Sequence, residues 1–476
     1  MKALDPDICR AARISRDPRF DGEFFLAVTT TGIYCRPVCP ARPPREKNVR
    51  YYHTAAAAAQ EGFRPCLRCR PESAPNSPAW AGTSTTVKRG LALISSGYLN
   101  QHSLEQLAGR LGVGERYLRK LFEAQLGVSP SAVAKTQRLH FAQKLLRETD
   151  LSITEIAFAS GFGSVRRFNS AHREAFACTP GEMRRNKPRP GDNRGIRLEL
   201  AYRPPYDWDG VLDYFRRHQV EGIEQVDEKQ YQRSLATPGG GALLKVRPLP
   251  DRNALELDLM LSDYGDMMGV VSQVRRMFDL DAQPGDIRSA LSLDPMLAPL
   301  LEQWPGIRSP ICASLFEAGV RAVVGQQVSI EAARNVCARL ARDCTNEVVI
   351  LGERRLLFPT PEQLLELPDA AFPMPGRRRE SLRALCRSFL ESSELDQDER
   401  IEQLADIKGI GPWTLDVINM RGYGDPDVFP VADLGLIKAA QSLREMERTE
   451  FTQHIERWAP WRAYAANLLW RQLCHV

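Results

Sequence analysis

The stretch Leu404–Asp433, LADIKGIGPWTLDVINMRGYGDPDVFPVAD, decides the reading of the chain. Its centre is Lys408-Gly409-Ile410-Gly411-Pro412-Trp413-Thr414. An apolar helix end runs into Gly-Ile-Gly, and a second helix is expected to start at Pro412 or Trp413, because proline fits the first helical turn. Glycine tolerates a left-handed turn and leaves the backbone amides around Gly409 and Gly411 uncovered. Amides at a helix N-terminus form an anion site suited to a DNA phosphate. Twenty residues beyond Trp413 stands Asp433, in the apolar run Phe429-Pro430-Val431-Ala432-Asp433-Leu434. Taken alone, such an aspartate is most simply a helix N-cap.

Taken together, this hairpin and the Pro/Val-flanked aspartate resemble the helix-hairpin-helix superfamily of DNA base-excision glycosylases. Arg321-Ala322-Val323-Val324-Gly325-Gln326-Gln327-Val328-Ser329, Pro460-Trp461-Arg462-Ala463-Tyr464-Ala465-Ala466 and Tyr202-Arg203-Pro204-Pro205-Tyr206-Asp207-Trp208 narrow it to the AlkA-type 3-methyladenine DNA glycosylase II. The resemblance spans residues 196–476. It implies that Asp433 is the catalytic carboxylate and that Trp413 and Trp470 line a base pocket; Trp458 and Trp461 are expected to be ordinary core residues. An enzyme of this kind extracts its base from the stack into an aromatic pocket. Alkylated purines can be cationic, and cations are attracted to indole faces.

The chain departs from the AlkA pattern in places. Val417 and Leu434 replace tyrosines, Gly435 is an extra residue after Asp433, and Gln327 replaces an apolar wedge residue. Glycosylase-lyases of the superfamily carry a lysine where this chain has Trp413, so hydrolytic, monofunctional excision is expected. Cys312, Cys337, Cys344 and Cys386 are too dispersed to suggest an iron–sulfur cluster.

With 476 residues the chain is long enough for several domains. No apolar run approaches the ~20 residues of a membrane span, and no signal pattern opens the chain, so a cytoplasmic, nucleoid-associated protein is expected. Charge is uneven: +5 over residues 1–84, +7 over 85–186 and −7 over 187–476. The front half therefore has the footprint of a nucleic-acid binder. Two stretches rich in Pro, Gly, Ser and charge, Pro71–Thr86 and Lys187–Gly195, read as linkers.

Five of the eleven cysteines fall in the first 69 residues. Cys35-x3-Cys39 and Cys66-x2-Cys69 have the spacing of a tetrahedral four-thiolate zinc site, and Cys9 is left as a plain thiol. Phe24–Pro37 and Gly62–Cys66 resemble the N-terminal domain of the Ada methylphosphotriester repair and response family. That resemblance implies one zinc held by Cys35, Cys39, Cys66 and Cys69, with Cys35 accepting a methyl group from DNA, and Arg42 and Arg64 approaching the DNA backbone. Zinc keeps the acceptor as a thiolate, the nucleophilic form. Four thiolates around a divalent cation sum to about −2, and methylating one leaves about −1, so repulsion from DNA phosphate falls.

Residues 85–186 hold a repeated pattern. Ser103 caps a short helix and turn, and Glu115–Gln125 follows with Arg116, Arg119 and Lys120 outward. Ser152–Phe162 repeats it, followed by Val165–Ala175 with Arg166, Arg167, Asn169 and Arg173. A helix near Pro130–Glu148 joins the two. These are two helix-turn-helix units, and they resemble the AraC-type DNA-binding domain.

The expected architecture is multidomain: a small α+β zinc domain (1–75), an all-α double helix-turn-helix domain (85–186), an α+β subdomain (196–285) and a mainly α helix-hairpin-helix domain (286–476). The expected function is alkylation response and repair: stoichiometric methyl transfer to Cys35, transcriptional regulation, and excision of 3-methyladenine- and 7-methylguanine-type bases. The implied partners are alkylated and promoter duplex DNA and RNA polymerase, with no membrane and no required oligomer. A regulator that keeps the glycosylase fold only as a DNA clamp, and a glycosylase-lyase, are the alternatives.

Overall fold

The computed structural model describes residues 4–66, 68–69, 71, 85–184, 195–391 and 397–475. Most of both linkers, 72–84 and 185–194, therefore lies outside the described residues. The chain forms two compact units, Met1–Arg203 with Thr237–Gly239 and Leu249–Gln273, and Pro204–Ala236 with Gly240–Pro248 and Val274–Val476.

The first unit begins with a four-stranded sheet in the order Val49–Tyr52, Phe25–Val28, Ile33–Cys35, Arg64–Pro65. The first three strands pair antiparallel, with Leu26 opposite Cys35 and Leu26 opposite Tyr51. The last pair is parallel, with Tyr34 opposite Pro65. That register sets the end of one strand beside the start of the second cysteine pair.

Helices Leu104–Arg110 and Ile153–Ala159 each begin with a capping box, from Ser103 with Gln106 and from Ser152 with Glu155. Each is followed by an amphipathic helix, Glu115–Leu126 and Val165–Phe176, one residue longer than the sequence pattern suggests. Leu118, Phe122 and Leu126 are buried in the first, and Phe168, His172 and Phe176 in the second. Pro130–Glu148 joins them and buries much of its length.

This joining helix is anchored at its middle and at its C-terminal end. The Tyr34 hydroxyl meets His140 Nε2 at 2.6 Å. Burial pushes the His140 imidazole down to about 4, so the ring is neutral at pH 7. Farther along, Glu148 accepts from the Glu199 amide at 2.9 Å and pairs with Lys144 at 2.8 Å. Glu199 lies on strand Ile196–Ala201, which pairs antiparallel with Ala254–Leu261 over six positions.

In the second unit, strands Glu224–Val226 and Tyr231–Thr237 pair antiparallel. The sequence pattern did not single these two out, because strand Tyr231–Thr237 is buried at Tyr231, Arg233, Ser234 and Leu235 and lacks a clean alternation. The reason for its buried arginine lies elsewhere in the fold: Arg233 pairs with Glu317 at 2.9 Å, and Arg321 closes on Glu224 at 2.6 Å. These pairs fix helix Leu315–Val324, which leads into Gly325-Gln326-Gln327.

Two helical cores follow. One holds Val320, Val323, Leu382, Leu385, Ile410 and Ile418. The other holds Leu297, Leu301, Leu436, Trp458, Leu468 and Leu469. Trp458 is fully buried, and Trp461 is half-buried against the same core. The hairpin helix belongs to the first core and the C-terminal helix Arg462–His475 to the second.

Candidate active site and metal centre

The hairpin turn is built from alternating roles. Ile410 is buried and anchors the turn, while Gly409 and Gly411 are exposed on either side. Gly409 adopts φ +93°, and a Cβ there would stand 2.2 Å from Ser381 Oγ, whose hydroxyl donates to the Lys408 carbonyl at 2.7 Å. Both the backbone angle and the close approach require glycine. Gly411 has φ −98°, and a Cβ there would meet nothing within 4 Å. It is the N-cap residue of helix Pro412–Ile418, with proline at the first position. The surface beside Gly411 is thus open.

Asp433 is the N-cap of helix Leu434–Leu443: its Oδ1 accepts from the Leu436 amide at 3.0 Å. The cap reading is therefore correct, and it is incomplete. Asp433 Oδ2 also accepts from Trp413 Nε1 at 3.0 Å, and Oδ1 accepts from Trp470 Nε1 at 3.3 Å. One carboxylate thus receives three N–H groups from the hairpin helix, the C-terminal helix and its own helix. All three residues, Trp413, Asp433 and Trp470, are half-buried, so the cluster sits at a surface opening. Leu434 is 67% exposed, and a Cβ at Gly435 would lie 3.2 Å from Leu473 and 3.9 Å from Trp470.

The loop after helix Leu315–Val324 is braced against the hairpin. Gln326 Nε2 donates to the Gly409 carbonyl at 2.8 Å and to Thr414 Oγ1 at 2.9 Å. Gln327 is exposed and held at φ +55°, an unusual conformation for a residue with a side chain. Sequence reasoning did not single out Gln326. Nor did it single out Arg421, whose guanidinium lies 5.2 Å from the centre of the Trp470 ring.

In the first unit the strand register delivers four sulfurs to one place. The Cys66 amide donates to the Tyr34 carbonyl at 2.9 Å, which brings Cys66 beside Cys35. The Cys39 amide donates to the Arg36 carbonyl at 3.1 Å, which turns the chain between the first pair. The Arg36 amide points at Cys69 Sγ, 3.3 Å away, and its guanidinium is held by Asp21. The four Sγ atoms lie within 4.8 Å of one another, and Cys39 and Cys66 are 4.0 Å apart. Tetrahedral thiolates at ~2.3 Å from zinc are separated by about 3.8 Å, so the cluster fits that ion.

The donor chemistry agrees. Hydrogen bonding among the sulfurs, from Cys39 first, holds the Cys35 thiol far above its usual range, while Cys35 pulls Cys39 down to about 7. Four thiols this close cannot all ionise by themselves, and a divalent cation removes that conflict. Cys35 is only 7% exposed, and Cys39 is the half-buried member of the four. Arg42 and Arg64 are exposed.

Arg116, Arg119 and Lys120 are exposed on helix Glu115–Leu126, and Arg119 is paired with Glu115 at 2.6 Å. Arg166, Arg167, Asn169 and Arg173 are exposed on helix Val165–Phe176. Arg166, Asn169, Ser170, Arg173 and Glu174 line one shallow open concavity. Among the described residues no helix is long and apolar enough to cross a membrane.

Four family models match the chain in succession: the metal-binding domain of Ada over residues 8–72, a helix-turn-helix domain over 107–186, the AlkA N-terminal domain over 197–314, and the helix-hairpin-helix superfamily of base-excision DNA repair proteins over 320–461. The probable bifunctional transcriptional activator/DNA repair enzyme AlkA of Mycobacterium tuberculosis is 40% identical over 483 residues, covering 99% of this chain and 97% of that protein. DNA-3-methyladenine glycosylase 2 of Escherichia coli is 32% identical over 285 residues, 57% of this chain and 95% of that protein. The solved 3-methyladenine DNA-glycosylase of Archaeoglobus fulgidus superimposes with a TM-score of 0.51 at 21% identity, over 58% of this chain and 96% of that one, a likeness of fold. With these four domains matched in succession and 40% identity along nearly the whole length of such a relative, the chain belongs to the family of bifunctional AlkA-type transcriptional activator/DNA repair proteins.

Proposed function

We propose that this chain detects DNA alkylation at one end and excises alkylated bases at the other. The observation that carries the excision reading is the Asp433 carboxylate, which receives both the Trp413 and the Trp470 indole N–H. Two aromatic walls are thereby set around a carboxyl group at a surface opening. Trp413 and Trp470 stack the extracted base, and Asp433 stabilises the positive charge that develops on the sugar as the glycosidic bond breaks. Gly409 and Gly411 offer amides to the DNA backbone, and Gln327 fills the gap left in the duplex. Trp413 occupies the place at which a lyase would carry its amine, which supports simple hydrolysis.

At the front, Cys35, Cys39, Cys66 and Cys69 hold one zinc, which when bound keeps the sulfurs ionised. Cys35 accepts the methyl group of a DNA methylphosphotriester once and keeps it. Arg42 and Arg64 meet the DNA backbone there, and Arg116, Arg119, Arg166 and Arg167 meet promoter DNA. The same protein engages RNA polymerase, needs no oligomer, and works in the cytoplasm at the nucleoid. The domains divide at 1–75, 85–186, 196–285 and 286–476.

The deciding experiment is incubation with duplex DNA bearing one 7-methylguanine or one hypoxanthine. Free base and an intact strand with an abasic site are expected. Absence of base release with both lesions would leave the regulator-only reading, and strand cleavage without alkali would support a lyase.

A further inference from the structure

Arg421 is buried in the second unit at 7% exposure, and its charge has an unusual setting. Its guanidinium lies 4.5 Å from the Tyr214 ring centre and 5.2 Å from that of Trp470. Among the described residues its hydrogen bonds run to the Pro310 carbonyl at 2.7 Å and to Asn467 Oδ1 at 2.8 Å, both uncharged acceptors. The nearby carboxylates Glu224 and Glu317 are already closed by Arg233 and Arg321. Among the described residues no carboxylate pairs with Arg421, and its field reaches Trp470, whose indole N–H meets Asp433.

We infer that Arg421 is a specificity-determining residue that acts through Trp470, lowering the pocket's preference for cationic bases relative to neutral damaged purines. This rests on Trp470 being a pocket wall. Arg421 is buried and Trp470 is half-buried, so part of the ring stays open to an incoming base.

The chemistry gives the effect a definite sign. In excision the C1′–N bond breaks and its electron pair passes to the base, while water adds to C1′ and gives up a proton, to solvent when the base leaves neutral and to the departing base when it leaves as an anion. A cationic base enters charged and leaves neutral, so Arg421 repels it when it binds. A neutral base such as hypoxanthine enters uncharged and develops negative charge as it leaves, so Arg421 stabilises its departure. The base gains one negative charge in either case, so the departure step responds alike, and the discrimination comes from bringing a charged rather than a neutral base up to Trp470, which favours neutral lesions. Two unit charges about 9 Å apart at an effective dielectric near 20 alter an equilibrium on the order of ten-fold.

The test uses the full chain and two duplexes, one with a single 7-methylguanine and one with a single hypoxanthine, with protein in excess over DNA but below saturation, so that each excision rate includes binding of the base. The readout is the ratio of the two excision rates in the same preparation, which does not depend on the active fraction. Arg421→Gln removes the charge and keeps a donor, and the cationic-to-neutral ratio should rise on the order of ten-fold. Arg421→Lys should stay near wild type. If Arg421→Gln does not fold, Asn467→Asp sets a carboxylate against the guanidinium and should move the ratio the same way. A ratio within two-fold of wild type in the uncharged or neutralised variant overturns the inference. Wild-type protein that releases neither base would instead overturn the glycosylase reading beneath it.

Discussion

Trp413 donates its indole N–H to Asp433 across twenty residues of sequence, at 3.0 Å. The hairpin helix and the next helix's cap are thereby one unit. Trp413→Phe keeps a ring in place and removes one of three donors to the carboxylate. Hydrogen bonds to charged groups carry ~1.5–3 kcal/mol, so base release should slow by about ten-fold or more. Duplex binding should change little. A Trp413→Phe enzyme with wild-type single-turnover rates would show that the hydrogen bond does not position Asp433.

Asp433 serves as both cap and carboxylate, and one substitution separates the roles. Asparagine is as good an N-cap as aspartate. Asp433→Asn should therefore keep its helix cap and fold, losing only the bond from Trp413, where its amide nitrogen now faces a donor, while base release falls on the order of 10²–10³-fold for want of electrostatic stabilisation. Borohydride should trap no covalent DNA adduct with either protein. Near-normal excision by this variant, or efficient trapping, would move the chemistry to another residue.

Much of this site was legible because it depends on local grammar. Gly-Ile-Gly-Pro-Trp prescribes a turn and a helix start, and C-x3-C with C-x2-C prescribes a metal. Ser103 and Ser152 announced their helices by capping chemistry. What was not legible depends on contacts between distant segments. Arg421 comes to lie between Tyr214 and Trp470, and Gln326 reaches the hairpin at Gly409 and Thr414. Neither residue carries a local signal of that placement. Strand Tyr231–Thr237 escaped notice for a related reason, since Arg233 on it is buried only because Glu317 and Glu224 are there to receive it.

The zinc site makes two separable predictions. The purified protein should contain one zinc, and chelation should loosen the sheet that ends at Cys35, because the four sulfurs lie within 4.8 Å and need a cation to ionise together. Cys35→Ser should abolish methyl acceptance from methylphosphotriester DNA. Cys39 is the more exposed thiol of that pair, so peptide mapping of the labelled wild type is the sharper measurement. A methyl group found on Cys39 would reassign the acceptor.

Methylation should also change promoter affinity. Converting one thiolate to a neutral thioether makes the centre less negative, and residues 85–186 carry an excess of seven positive charges. Methylated protein should bind its promoter more tightly, and the advantage should be largest at low salt, where screening is weakest. Titrations before and after methylation at several salt concentrations measure this directly. Equal affinities throughout would remove the electrostatic account.

The two hairpin glycines should behave differently, although the sequence presents them as a symmetric pair. Gly409 sits at φ +93° with Ser381 Oγ 2.2 Å from where a Cβ would be. Gly409→Ala meets both backbone strain and a clash, and should destabilise the second unit by at least about 2 kcal/mol, read as a lower denaturation midpoint. Gly411 has φ −98° and open space on the Cβ side. Gly411→Ala should fold with near-native stability. Its methyl group would project into that open space, beside the amides proposed to meet a DNA phosphate. Duplex affinity should therefore fall several-fold while the melting curve is unchanged. If Gly411→Ala binds duplex DNA as well as wild type, the phosphate contact is not at this turn, and Gly411 matters only as the start of a helix.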